Sequence, residues 1–195
     1  MKELMIATSN LHKVEEFKAM LEPLGYHVKS LLDIEERIEI DETGTTFEEN
    51  ALIKVRAIHK AFGGEVIADD SGFAVNHLQG APGIYSARFL GKDTAYEEKN
   101  QYIIDALKDA SDRGCQYICA IAHISCDGKE QVFTGVLEGT VSYESIGNRG
   151  FGYDPIFYYK EFGTTLANVE EDEKNRVSHR ALALKQLLAY LERRS

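Results

Sequence analysis

Two adjacent carboxylates close an apolar run at Ala68-Asp69-Asp70-Ser71-Gly72. Paired acids beside buried chain are costly unless something positive meets them. A hard divalent cation shared with phosphate oxygens, Mg²⁺, is one such partner. Successive strand side chains point to opposite faces, so one carboxylate enters a cleft at the strand's end. A plain strand-ending turn would use Asp-Ser-Gly equally well. A second segment, Thr8-Ser9-Asn10-Leu11-His12-Lys13, stops one apolar run and opens a helical one. Free N–H groups at a helix start attract phosphate. Thr8, Ser9 and Asn10 add side-chain hydrogen bonds and Lys13 a full charge. The same residues also make an ordinary N-cap, and the glycines of a Walker loop are missing.

Three further segments carry weaker signals. Glu42, in the acidic stretch of Glu35, Glu36, Glu39, Asp41 and Glu42, is a second carboxylate for a metal or a surface acid; Lys54, on the following helix, reads by itself as a solvated helix lysine. Gly147-Asn148-Arg149-Gly150-Phe151-Gly152-Tyr153-Asp154-Pro155 joins glycines to two aromatics and an acid. Such a loop lets a flat base approach a ring, or plugs the core with Phe151 or Tyr153. Lys174, Arg176, His179 and Arg180 surround the expected start of the last helix. Cations oppose the dipole there, which suggests an external anion; Lys185, Arg193 and Arg194, later in that helix, suit it.

The elements that must position these residues read as α/β. An apolar strand at 4–7, a helix at 11–21 with Val14, Phe17 and Leu21 on one face, and a strand at 26–31 make a β-α-β opening. Thr46 and Glu49 have capping-box spacing before a helix bearing Ala51, Val55 and Ile58 and ending at Gly63-Gly64. Residues 65–68 read as a strand broken at 69–72 and resumed at 73–75. A helix follows at 93–108, then two long strands, 116–125 and 131–141, joined at Asp127-Gly128. Residues 162–175 read as irregular, and 178–192 as the last helix. The expected architecture is a mixed, twisted sheet with helices on both faces.

Composition narrows the function. The formal net charge is −10 and the pI about 5.1, so binding to polymeric DNA or RNA through the overall field is not expected. Anionic ligands must be held by local cations. Cys115, Cys119 and Cys126 form no metal pattern or even disulfide set and read as reduced strand residues. No signal peptide or membrane-length apolar run is found. A cytoplasmic protein is expected, as one domain over 1–195.

Taken in order, the segments resemble the inosine/xanthosine triphosphate pyrophosphatase family. The resemblance is carried by Thr8-x-Asn10-x-x-Lys13, Glu42-Thr43-Gly44-Thr45-x-Phe47-x-Glu49-Asn50-Ala51, Ala68-Asp69-Asp70-Ser71-Gly72, Gly80-Ala81-Pro82-Gly83-Ile84-Tyr85-Ser86-Ala87-Arg88, Gly150-Phe151-Gly152-Tyr153-Asp154-Pro155-Ile156-Phe157 and Ser178-His179-Arg180. These blocks cover nearly the whole chain, and the third and fourth are very specific.

The resemblance implies an elongated, two-lobed α/β fold with a central cleft, in a homodimer. It implies Mg²⁺-dependent hydrolysis of purine nucleoside triphosphates such as ITP, dITP and XTP to the monophosphate and pyrophosphate. Residues 8–13 (Thr8, Ser9, Asn10 and Lys13 among them), Lys54 and Ser71 would bind the triphosphate. Glu42 and Asp70 would hold Mg²⁺, with Asp70 as general base. Phe151 would stack on the base in a loop shared with Gly152 and Tyr153, and Asp154, Lys174, His179 and Arg180 would line its pocket. Donors placed for a 6-oxo group would be left facing a 6-amino group in adenine, at roughly 1–3 kcal/mol each. Competing readings are another pyrophosphatase specificity, a non-catalytic nucleotide sensor, and an interaction module using the acidic stretch.

Overall fold

A computed structural model describes residues 2–35 and 38–193. Glu36 of the acidic stretch and Arg194 near the carboxyl end lie outside the described residues. The strands are β1 (Lys2–Ile6), β2 (Tyr26–Ser30), β3 (Val66–Val75), β4 (Gly114–Ile124), β5 (Glu130–Val141), β6 (Phe157–Tyr159) and β7 (Thr164–Thr165). The helices are α1 (Leu11–Leu21), α2 (Phe47–Phe62), α3 (Tyr96–Ala106), α4 (Glu171–Val177) and α5 (His179–Glu192). The strands form one sheet in the order β2-β1-β3-β4-β5-β6-β7. β1 runs parallel to β2 and β3, whereas β5, β6 and β7 pair antiparallel. The expected mixed α/β sheet is therefore present.

By contacts the chain divides into two compact units. The first comprises Met1–Asp70, Cys119–Gly135 and Arg180–Ser195; the second comprises Ser71–Ile118 and Val136–His179. In the first, Leu4, Ile6, Ile67 and Ile121 from the strands share a core with Phe17 and Leu21 of α1 and Leu184 and Leu187 of α5. In the second, Phe73, Tyr117 and Phe157 pack with Ile103 and Leu107 of the α3 region. Each such side chain, fully buried, contributes roughly 1.5–3 kcal/mol.

Helix α1 starts as expected, with the Asn10 side chain accepting from the Lys13 N–H at 3.3 Å, and stops at Glu22-Pro23, with Gly25 at φ +86°. Helix α2 keeps only half of the expected capping box. Thr46 Oγ1 accepts from the Glu49 N–H at 3.1 Å, but the Glu49 carboxylate reaches past Thr46 to the N–H and hydroxyl of Thr45, at 2.7 and 2.9 Å. Both routes satisfy donors that a helix start leaves open. The expected hairpin is found, with Gly128 at φ +79° between β4 and β5; Cys126 lies exposed in its turn rather than in a strand.

Three expectations are corrected. The break at 69–72 does not exist: β3 runs unbroken through ten residues, and the sheet order places it between β1 and β4. Residues 162–175 are not irregular, for they hold β7 and most of α4. Lys174 and Arg176 consequently sit in the last turn of α4, where the dipole favours cations, so they need no external anion. Among the described residues no helix is long and apolar enough to cross a membrane.

Candidate active site

The site in the first unit is built where β1 stops. β1 pairs with β3 only as far as Ile6 and Ile67, and the Ala7 N–H donates to the Ile67 carbonyl at 2.8 Å. Asp69 and Asp70 follow on β3, and strand alternation sends them to different partners. Asp69 is sealed: its side chain is 0% exposed, with Lys13 Nζ at 2.8 Å and an Arg180 guanidinium nitrogen at 3.1 Å. Arg180 in turn pairs with Glu16, and all three buried residues are at most 2% exposed. Burial alone would raise the Asp69 carboxyl, but Lys13, Arg180 and Lys54 overcome it and hold the group well below the usual carboxylate range.

Asp70 lies in a different balance. Its Oδ1 is 2.9 Å from Lys54 Nζ, and its Oδ2 accepts from Asn50 Nδ2 at 3.2 Å. Lys54 Nζ is also 3.2 Å from Glu42. Burial raises the Asp70 carboxyl above its ordinary value, and Lys54 only partly opposes this while Glu42 adds to it. Lys54 is itself raised: burial disfavours its charge, but Asp70, Asp69 and Glu42 outweigh that.

Counting charges separates the two clusters. Around Asp69, Lys13 and Arg180 face Asp69 and Glu16, which balances. Around Asp70, one cation, Lys54, faces two carboxylates, Asp70 and Glu42. One negative charge is left over, beside hard oxygen donors that keep some exposure (33% for Glu42, 11% for Asp70). Among the described residues no group of three His, Cys, Asp or Glu is gathered for a metal. Two carboxylates suit Mg²⁺, which binds through one or two of them and completes its shell with water and phosphate oxygens. The donor set therefore fits that ion. At the start of α1, Thr8 Oγ1 accepts from the Asn10 N–H at 3.2 Å, so Thr8 and Asn10 shape the turn and Ser9 is exposed.

The second unit holds the other residues expected at the site. Asp154 Oδ2 accepts from the Phe151 N–H and from Lys174 Nζ, both at 3.0 Å, and Lys174 Nζ lies over the Phe151 ring at 5.1 Å. A Cβ on Gly150 would fall 2.1 Å from Asp154 Oδ2, at φ +68°, so glycine is needed there. Gly152 also has a left-handed φ, +69°, and its carbonyl accepts from Asn100 at 3.1 Å. His179 stacks on Tyr117, centroids 4.7 Å apart, and Ser71 opens this unit half-buried on β3.

Two expected placements change. Tyr153, grouped with the ligand-binding loop, turns inward: it is 2% exposed, stacks on Phe73 at 4.8 Å and donates its hydroxyl to the Ser86 carbonyl at 2.7 Å. Arg180, grouped with the base pocket, belongs to the first unit, its guanidinium buried between Asp69 and Glu16. Sequence reasoning also passed over Glu16 and gave Asn50, though it stands in a matching motif, no role. Both interrupt an apolar helical face, Glu16 between Val14 and Phe17, Asn50 between Phe47 and Ala51. A polar residue on a buried stripe is the signal that could have found them.

Fold and site together define an α/β protein with a paired-acid, lysine-bearing centre suited to metal-assisted phosphate chemistry. Comparison with known proteins gives that class its family. The chain belongs to the Ham1 family, whose sequence model matches residues 4–190. It is similar to a dITP/XTP pyrophosphatase of Bacillus licheniformis, 49% identical over 195 residues, covering 98% of this chain and 99% of the relative. Among solved structures it is similar to the Ham1 protein of Staphylococcus aureus, at 39% identity, full coverage of both chains and a TM-score of 0.90. The HAM1 protein of Coxiella burnetii is similar at 38% identity, covering 99% of this chain and 100% of the other, with a TM-score of 0.89.

Proposed function

We propose that this protein hydrolyses non-standard purine nucleoside triphosphates, ITP, dITP and XTP, to the monophosphate and pyrophosphate. The observation that carries the reading is the Asp70 carboxylate, raised by burial and held between Lys54 and Asn50 next to Glu42. The names of the full-length relatives support the substrate class. Glu42 and Asp70 would hold Mg²⁺. When bound, the ion supplies charge neutralisation on the phosphate oxygens and the departing pyrophosphate.

The protein's own residues account for the rest. Lys54 approaches the triphosphate as a point charge, Lys13 adds its positive field from its pairing with Asp69, and the N–H groups at the start of α1 donate to the phosphate oxygens. Asp70 accepts a proton from water as the water oxygen bonds to the α-phosphorus. The bond from the α-phosphorus to the bridging oxygen breaks, and pyrophosphate leaves with the electron pair. A carboxylate raised above its ordinary value by burial is, when ionised, a stronger base than a solvated aspartate. Phe151 offers its ring to the base, with Asp154, Lys174 and His179 supplying polar contacts. Homodimeric assembly and a cytoplasmic location complete the reading.

Product analysis tests it. With Mg²⁺ and, separately, ITP, XTP, dITP, GTP and ATP, pyrophosphate should appear from the first three and little from the last two. Orthophosphate as the direct product would place attack at the γ-phosphorus and overturn the mechanism.

A further inference from the structure

Asn50 is 0% exposed, where an unpaired amide is costly. Both ends are used. Its Oδ1 accepts from the Gly44 N–H at 2.8 Å, and its Nδ2 donates to Asp70 Oδ2 at 3.2 Å. A backbone N–H can only donate and a carboxylate can only accept, so the amide fits in one orientation. One short side chain thus joins two stretches of chain, the segment carrying Glu42 and the strand carrying Asp70.

The join is tight. A Cβ on Gly44 would lie 2.7 Å from Asn50 Oδ1 and 2.9 Å from the Asn50 backbone nitrogen. Gly44 needs no left-handed φ, so its missing side chain serves this close approach. Asn50 and Lys54 stand four residues apart on α2 and face Asp70 together, one on each carboxylate oxygen. Lys54 is long and shared with Glu42; Asn50 is short, buried and committed. It therefore sets the rotation of the Asp70 carboxylate and the approach of the Glu42 segment.

We infer that Asn50 is a positioning residue for the divalent cation, holding the Glu42 and Asp70 carboxylates in register before the ion arrives. This rests on the reading of those two carboxylates as the metal's ligands. It touches the metal only through its neighbours, and such outer partners tune affinity by ordering the ligands.

The test is direct titration of the full chain with Mn²⁺, without nucleotide, following free Mn²⁺ by electron paramagnetic resonance. Asn50→Leu is expected to raise the Mn²⁺ Kd roughly 10–100-fold. Gly44→Ala, whose Cβ would press on Asn50 Oδ1 and on Glu49 Cβ, both at 2.7 Å, without touching Asp70, should move it the same way. Ile58→Val, a cut in the buried face of the same helix, should leave it unchanged. If Glu42→Gln weakens Mn²⁺ while a folded Asn50→Leu does not, Asn50 merely packs and the inference is overturned. Should Asn50→Leu fail to fold, Gly44→Ala decides by the same criterion. Mn²⁺ binding indifferent to Glu42→Gln as well would overturn the metal reading itself, and this inference with it.

Discussion

Asp69 and Asp70 are consecutive residues of one strand with opposite fates. The Asp69 cluster is charge-balanced: two cations, two carboxylates, a fully buried Asp69 side chain, and a carboxyl pushed down. The Asp70 cluster is open: one lysine for two carboxylates, partial exposure, and a carboxyl pushed up. In the first, the chain's own ion pairs balance the charge, those to Asp69 all made through Oδ2, while Oδ1 is buried without a hydrogen-bond partner among the described residues. The second becomes neutral only when something else is bound. Strand alternation separates them, and the difference teaches that a charge surplus, rather than burial or the presence of acids, marks the place where a ligand is expected.

The largest expected effect is on turnover at the open cluster. Asp70→Asn should lower kcat roughly 10²–10⁴-fold, the usual worth of a positioned base, while the Kd for ITP measured at equilibrium stays within a few-fold. Lost binding with normal turnover would break the assignment of the open cluster to chemistry.

At the charge-balanced cluster the expectation reverses, from activity to stability. Arg180→Met leaves Asp69 and Glu16 buried without their shared guanidinium. Stranding buried charge costs roughly 3–5 kcal/mol, read as a drop in the urea midpoint at constant slope. A variant as stable as the wild type but unable to bind ITP would show that Arg180 serves the ligand, and the contrast between the clusters would fail.

The contrast also explains what could be read without a structure. The paired acids, the cap at Asn10, the helices over 11–21 and 178–192 and the β4–β5 hairpin were legible because each is a local signal: turn chemistry, or apolar spacing at a fixed period. Three things were not. Asp69-Asp70-Ser71-Gly72 looks like a turn, yet it is held extended within β3, and sheet pairing overrides local propensity. Helix α4 has acids in its first turn but only seven residues and too little apolar face to announce itself. The partners of Arg180 and Asn50 are separated along the chain by as many as 164 and 20 residues, respectively. No window of sequence brings such pairs together.

The loop of the second unit repeats the same division on a smaller scale, with Phe151 half-buried and Tyr153 turned into the core. If Phe151 carries the base, Phe151→Ala should weaken ITP binding by about 1–3 kcal/mol, the usual worth of a base stacked on an aromatic ring. Competitive binding of inorganic tripolyphosphate, which has no base, should not change. Equal losses for both ligands would mean that the loop acts on the phosphates, or on the fold, rather than on the base.

Tyr153→Phe is the smallest change and the sharpest check on this second pair. The substitution removes one buried hydroxyl that donates to the Ser86 carbonyl at 2.7 Å and leaves the ring stacked on Phe73. A neutral hydrogen bond contributes about 0.5–1.5 kcal/mol net, which for a chain of this size lowers Tm by roughly 1–6 °C. The kcat/KM for ITP should stay within about twofold of wild type, because the hydroxyl is already committed inside the protein and has no further proton to donate. Ser86 is itself fixed, accepting from the Phe73 N–H at 2.8 Å and donating to the Gly83 carbonyl at 2.6 Å, so the loss should stay local. A large fall in kcat/KM with Tm unmoved would mean that the Tyr153 hydroxyl reaches the ligand, and the inward and outward halves of the loop would have to be exchanged.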